Sequence, residues 1–187
     1  MTLVSFLAML ILSILMFSGT SRIAASEASG SQTAFFENIK KLCGQSFEGA
    51  TEFPLDPDHP LAGKKLVITV DSCSEKEIRI PFQVGEDKSR TWILRLDQQG
   101  LLFKHDHRHA DGTPDEVTMY GGRAASEGTE YRQRFPADSD TKKLIPEGAT
   151  NIWMIELNKE KMELVYYLER HNEPRYRAVF KMIAVKK

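Results

Sequence analysis

The feature that most restricts the fold is an alternation of apolar and polar residues, which recurs between short turns from Gly63 to Val185. In the segment Lys76–Val84, for example, every second residue from Ile78 onward is apolar. Successive side chains of a β-strand point to opposite faces, so this pattern predicts strands with one buried face. Because only a few residues separate the segments, we expect neighbouring strands to pair as antiparallel hairpins.

Such a series of strands can bury its apolar face by closing into a barrel or by splitting into two packed layers. Before the strands, Phe35, Ile39 and Leu42 recur at helical spacing, which predicts a short amphipathic helix over Ala34–Leu42. A leading helix followed by sequential hairpins favours a mainly β fold, an antiparallel up-and-down β-barrel of about eight to ten strands. A barrel of this size can hold one small ligand.

The N-terminus carries an apolar run, Leu3–Phe17, which only Ser5 and Ser13 interrupt. The run has the length of a signal-peptide core and is short for a membrane span, and small residues follow it. Residues 1–28 are therefore interpreted as a signal peptide and residues 29–187 as a single β-barrel domain. Because no Lys or Arg precedes the run, an uncleaved N-terminal anchor is the alternative. Both interpretations predict an exported protein, periplasmic or extracellular.

The chain has two cysteines, Cys43 and Cys73. An exported protein folds in an oxidising compartment, so a Cys43–Cys73 disulfide is predicted, and two buried free thiols are the alternative. The charges are nearly balanced, with 25 Lys and Arg against 26 Asp and Glu. This balance gives no reason to expect a nucleic-acid partner, and membrane contact is expected only through an uncleaved N-terminal segment. The sequence does not determine the oligomeric state.

The densest group of reactive side chains lies in Leu101–Gly122, which contains His105, His107 and His109 at alternate positions. On a strand, these imidazoles would share one face with Phe103. The row can be the polar end of a ligand cavity or a solvated hairpin end. It can also be a metal site, because neutral imidazoles two residues apart on a strand can reach one ion.

Aromatic residues on other predicted strands are placed to line the same interior, although each could simply fill the core. Arg170, near the last turn, could bind a carboxylate by a two-pronged hydrogen bond. The predicted ligand-binding residues are Trp92, Phe103, His105, His107, His109, Tyr120, Trp153, Tyr167, Arg170 and Tyr176.

Two local patterns resemble the lipocalin and fatty-acid-binding group of calycin β-barrels. Leu42, Gly44, Phe47 and Gly49 follow the predicted helix, and Arg175-Tyr176 lies on the last predicted strand. The resemblance covers residues from about 42 to 185, and the whole chain also resembles bacterial exported proteins. It implies reversible binding of a small hydrophobic or amphipathic molecule, without catalysis and without a cofactor.

A second resemblance, to cupins, supports a different function. His105 and His107, with Glu116 after them, are similar to the first cupin metal motif, and Leu144–Gly148 is similar to the second. Asn151 stands where that second motif would place a histidine. This resemblance implies that His105, His107 and Glu116 bind a divalent metal such as zinc or iron, as a metal-binding protein or enzyme.

A third alternative is a structural or partner-binding module with neither ligand nor metal. No GxSxG motif occurs, and neither cysteine has the context of a nucleophile, so a hydrolytic triad is not predicted. A non-catalytic binding protein is therefore favoured over an enzyme.

Overall fold

The structure is a computed structural model that describes residues 30–183. Within this range the chain forms eleven strands, two α-helices and one short 3-10 helix. The helices are α1 (Gly30–Lys40), α2 (Ser139–Leu144) and the 3-10 helix Pro146–Gly148. The strands are β1 (Ser46–Phe53), β2 (Leu66–Thr69), β3 (Ser72–Cys73), β4 (Glu77–Val84), β5 (Asp87–Asp97), β6 (Gly100–His107), β7 (Tyr120–Arg123), β8 (Arg132–Pro136), β9 (Ile152–Asn158), β10 (Glu163–Arg170) and β11 (Glu173–Ile183).

The strands form one antiparallel sheet in the order β7-β6-β5-β4-β2-β1-β11-β10-β9-β8, and the two-residue β3 pairs with β4. Most neighbours in the sheet are also neighbours in the chain, as alternating strands joined by short turns predict. There are two exceptions: β2 pairs with β4 across the short β3, and β1 pairs with β11, which joins the first strand to the last. The predicted fold class, a mainly β antiparallel barrel with a short leading helix, is confirmed.

The barrel is nearly closed where β7 approaches β8. The amide of Ala125 donates to the carbonyl oxygen of Arg134 at 2.8 Å, and the amide of Asp138 donates to that of Gly121 at 3.0 Å. A Cβ atom at Gly122 would lie only 1.8 Å from the carbonyl oxygen of Pro136. The close approach of the two strands therefore depends on a residue without a side chain at position 122.

Helix α1 fills one end of the barrel, because its apolar side chains Phe35, Phe36 and Ile39 are fully buried in the core. Its Gln32 side chain accepts a hydrogen bond from the amide of Leu101 at 2.8 Å, next to the β5–β6 turn. The helix extends over Gly30–Lys40, where the sequence predicted Ala34–Leu42. One end of the barrel is thereby occupied by protein.

The predicted disulfide is confirmed, with Cys43 bonded to Cys73. It connects the turn after α1 to β3, and it is compatible with folding in an oxidising compartment. Among the described residues, no helix is both long and apolar enough to cross a membrane. The predicted signal peptide, residues 1–28, lies outside the described residues.

Candidate functional site

A cavity of about 190 Å³ lies at the end of the barrel opposite α1. Its position follows from the β5–β6 hairpin: α1 packs near Gly100, and the cavity lies at the other end of the hairpin, beside Arg90 and His107. Most of the wall is aromatic, and the lining residues are His59, Leu61, Phe82, Arg90, Trp92, His105, His107, Tyr120, Tyr166, Leu168 and Tyr176.

Strand register brings the side chains of the wall together. Trp92 on β5 lies directly opposite His105 on β6, and Arg90 lies directly opposite His107. Residues directly opposite each other on paired strands project to the same face, so all four side chains point inward. The rings of Trp92 and Tyr166 then stack across the interior, with centroids 4.6 Å apart and planes 21° apart.

His105 is a buried polar residue whose two ring nitrogens both have partners. Its Nδ1 lies 3.2 Å from the carbonyl oxygen of Tyr120, and its Nε2 lies 2.9 Å from the hydroxyl of Tyr166. A carbonyl oxygen only accepts, so Nδ1 carries the proton and the Tyr166 hydroxyl donates to Nε2. Burial lowers the pKa of His105 to about 3, so the ring is neutral at physiological pH.

The ring of Trp153 packs behind the wall, with its centroid 5.8 Å from that of Tyr120. Closer to solvent, the hydroxyl of Tyr120 lies 3.0 Å from Nε2 of His107. Burial lowers the pKa of His107 and raises the pKa of Tyr120 to about 12. Both side chains are therefore neutral at pH 7. The histidines and tyrosines of these two hydrogen-bonded pairs, His105 with Tyr166 and His107 with Tyr120, are thus neutral.

His109 does not join this row. Strand β6 ends at His107, and the chain turns away, which leaves the His109 side chain 46% exposed and 3.8 Å from Glu116. The expected row of three inward imidazoles is therefore a row of two, because the alternation of faces holds only while the chain remains a strand.

Tyr167 is also placed away from the cavity. It lies opposite Met154 and Arg177, whereas Tyr166 lies opposite the buried residues Ile155 and Ala178. Tyr167 therefore faces outward and Tyr166 lines the cavity. The run Leu164–Leu168 is apolar or aromatic at every position, so no alternation in it distinguishes the inward face from the outward face.

The remaining predicted residues lie around the cavity. Trp92, Tyr120 and Tyr176 line it. Phe103 and Trp153 lie behind the wall, with ring centroids 4.5 and 5.3 Å from that of His105.

Arg170 lines an adjoining cleft of about 380 Å³, which shares His59, Leu168 and Tyr176 with the cavity. The Nε of Arg170 donates to the side chain of Asn151 at 2.8 Å.

The sequence pattern does not predict that His59, from the proline-rich segment before β2, lines the cavity. Its ring stacks on Tyr176, with centroids 5.2 Å apart. The Thr51 hydroxyl donates to the carbonyl oxygen of Leu61 at 3.1 Å and accepts from the Tyr176 hydroxyl at 3.0 Å. These contacts hold the segment against the opening of the cavity.

The structure does not bring together His105, His107 and Glu116, the three metal ligands that the cupin resemblance implies. Both ring nitrogens of His105 are engaged in hydrogen bonds, and the Glu116 side chain is 88% exposed in the loop between β6 and β7. Ligand atoms of His109, Asp115 and Glu116 instead lie within 4.8 Å of one another at the surface. Any divalent metal site in this loop would use these three side chains.

No protein-family model matches this chain, and no curated protein matches it either. The nearly closed antiparallel barrel is compatible with a calycin-like fold, and a barrel of this kind is consistent with a binding protein.

Proposed function

We propose that this protein is an exported, non-catalytic binding protein that holds one small, largely apolar molecule in the aromatic cavity at the open end of the barrel. The observation that carries the proposal is the cavity itself, whose wall is built from inward-facing rings. Ligand sites in proteins are typically concave and apolar, with a few polar groups that orient the ligand. Export is supported by the Cys43–Cys73 disulfide.

The size of the cavity limits the ligand. An engineered apolar cavity of about 150 Å³ accepts benzene, so about 190 Å³ suits a single ring with a small substituent. Drug-sized pockets start at about 300 Å³. Large side chains, including those of Phe47, Phe135 and Phe180, fill the rest of the interior. A long acyl chain therefore does not fit inside, and an amphipathic ligand would extend its polar end into the adjoining cleft.

The chemistry of the wall also favours an apolar guest. The hydroxyl of Tyr166 and both nitrogens of His105 are already satisfied by protein partners, so a guest in contact with them does not need to provide hydrogen bonds. Among the described residues, the buried side-chain atom without a partner is Oε1 of Gln133, and Gln133 does not line the cavity. A ring beside Tyr166 and His105 can therefore replace solvent without leaving either side chain unpaired.

A paired substitution on β10 tests this function. Leu168→Trp enlarges a side chain that lines the cavity, and Tyr167→Trp introduces the same ring on the outer face of the same strand. Toluene is expected to bind the unmodified protein and the Tyr167→Trp variant, and to lose affinity at least tenfold for the Leu168→Trp variant, as measured by calorimetry. Failure of toluene to bind the unmodified protein would contradict the proposal.

The metal alternative is separated from this function by elemental analysis of the same preparation. A tightly held ion that is lost on His109→Ala plus Glu116→Ala, but kept in the Leu168→Trp variant, would assign metal binding to the surface loop instead. The neutral, fully bonded His105 contributes nothing to such a site, so the cavity and the loop can be tested independently.

A further inference from the structure

We infer that the natural ligand is an aromatic monocarboxylate, with its single ring inside the cavity and its carboxylate at Arg90. The inference rests on the proposed function, because it assigns the ligand class of the same cavity. It depends on three observations: the position of Arg90, the charge of the cavity wall and the stacking of the rings around it.

Arg90 occupies the rim of the cavity and faces inward. It lies directly opposite Phe82 on β4 and His107 on β6, so its side chain belongs to the inward row that continues through Trp92. Its Nη1 forms an ion pair with Asp87 on the same strand, and its side chain is 27% exposed. A guanidinium has five N–H donors in a planar fork, so one contact with Asp87 leaves donors for a carboxylate guest.

The side chains that line the cavity carry charge of one sign. None of the lining residues is Asp or Glu, and Arg90 is the lining residue with a permanent charge. Carboxylates outside the lining oppose this charge: Asp87 pairs with Arg90, and burial and Arg90 lower the pKa of His107 whereas Asp115, Asp87 and Asp106 raise it. The preference for an anionic guest therefore depends on direct hydrogen bonds from the Arg90 guanidinium to a carboxylate, and not on a field across the opening.

The interior beyond Arg90 suits a flat ring. Phe82, Trp92 and Tyr166 line the cavity, and the centroids of Phe82 and Tyr166 lie 5.0 and 4.6 Å from that of Trp92. Aromatic side chains bind a further ring by offset stacking or edge-to-face contact. The cavity volume of about 190 Å³ allows one such ring, and its substituent then points to the rim where Arg90 lies.

Benzoate and benzamide provide the test, because they share shape and differ in charge. We expect benzoate to bind the unmodified protein at least tenfold more tightly than benzamide at pH 7, because the two oxygens of a carboxylate accept a bidentate pair of hydrogen bonds from the guanidinium and carry the opposite charge, whereas the amide offers one neutral oxygen. Arg90→Gln is expected to abolish this preference by weakening benzoate at least tenfold more than benzamide. Arg90→Lys keeps the charge but loses the planar fork, so it is expected to retain part of the preference.

Arg95→Gln is the matched control. Arg95 lies on the same strand, is exposed on the outer face and pairs with a carboxylate, Glu77, as Arg90 pairs with Asp87. This variant is expected to keep the full preference for benzoate. Near-UV circular dichroism of each variant reports whether the aromatic cluster remains packed, and benzamide binding reports whether the cavity remains intact.

The possible outcomes separate the two proposals. If benzamide binds as tightly as benzoate, or if Arg90→Gln weakens both ligands equally, the inference about the carboxylate is overturned and the binding function remains. If benzoate, benzamide and toluene all fail to bind the unmodified protein, both proposals are overturned. If Arg95→Gln removes the preference as Arg90→Gln does, the effect comes from general surface charge and the assignment to Arg90 is wrong.

Discussion

The hydroxyl of Tyr166 donates to Nε2 of His105 across the barrel interior at 2.9 Å, and it joins strands β10 and β6, which lie far apart in the sheet. Burial of this hydrogen bond raises the pKa of Tyr166 well above its usual value, so the phenol stays protonated and available as a donor. Nε2 of His105 depends on this one hydroxyl for its partner.

Removal of this hydroxyl is expected to destabilise the protein. Tyr166→Phe leaves Nε2 of His105 without its partner, and an unsatisfied buried group costs about 1–3 kcal/mol. The free energy of unfolding in urea measures the loss. Tyr167→Phe removes a hydroxyl from the outer face of the same strand and is expected to change stability by less than about 0.5 kcal/mol. Equal effects of the two substitutions would show that the buried network contributes little.

The stability of the fold is expected to fall with pH below the ordinary pKa of histidine. Burial lowers the pKa of folded His105 from 6.5 to about 3, so between these values the unfolded chain binds a proton that the folded protein does not. Each pH unit in this window therefore lowers the free energy of unfolding by up to about 1.4 kcal/mol. The contribution is complete above pH 6.5 and declines as the pH falls.

Urea unfolding at pH 6.5, 5.5 and 4.5 measures this slope. Carboxylates with lowered pKa values, such as Glu77, Asp87 and Asp97, also add to the slope below about pH 5, because they are protonated first in the unfolded chain, so the difference in slope between two variants reports on His105. A His105→Gln variant cannot take up the proton, so its slope between pH 6.5 and 4.5 should be smaller than that of the unmodified protein. An unchanged slope would mean that His105 is not the source of the dependence.

The disulfide is expected to stabilise the fold. Cys43 and Cys73 are separated by 30 residues, and closing a loop of that size contributes about 3–4 kcal/mol by restricting the unfolded chain. The double variant Cys43→Ala, Cys73→Ala should therefore melt at a lower temperature than the oxidised protein. A reducing agent should lower the melting temperature of the unmodified protein and leave that of the double variant unchanged. An effect of the agent on the double variant would indicate another cause.

The contact between β7 and β8 is expected to tolerate no side chain at position 122. Gly122→Ala would place a methyl group 1.8 Å from the carbonyl oxygen of Pro136, which forces the two strands apart. We expect a loss of about 1–3 kcal/mol, measured by urea unfolding. Gly30→Ala is the control, because a Cβ atom there meets nothing within 4 Å. Wild-type stability in the Gly122→Ala variant would show that this contact can open without cost.

Much of the fold could be predicted from the sequence because, in most strands, every second residue is apolar. This alternation shows both that the segment is a strand and which of its side chains are buried. In β4, Ile78, Ile80, Phe82 and Val84 alternate with less apolar residues, and all four are buried. Where the alternation fails, the prediction fails as well. The apolar run Leu164–Leu168 does not alternate, so it does not indicate which residues face inward. The prediction of Tyr167 as a cavity residue, instead of Tyr166, follows from this.

The rest of the site could not be read from local sequence because it depends on tertiary contacts. His59 lies in an irregular segment, and only its stacking on Tyr176 brings it to the cavity. Arg90 resembles other charged residues of the strands in the sequence, and it becomes distinct only because the register places it opposite Phe82 and His107. Pairing across the sheet, rather than residue type, determines which charge reaches the interior.

Helix α1 has a consequence for how a guest is exchanged. Phe35, Phe36 and Ile39 block the barrel end beside Gly100. The proposed ligand is therefore expected to enter and leave at the opposite end, where His59 and Leu61 line the cavity. For the proposed ligand, we expect the residence time to depend on the contacts that hold the proline-rich segment before β2 against Tyr176. Substitutions in that segment should therefore change the residence time of the ligand more than they change which ligands bind.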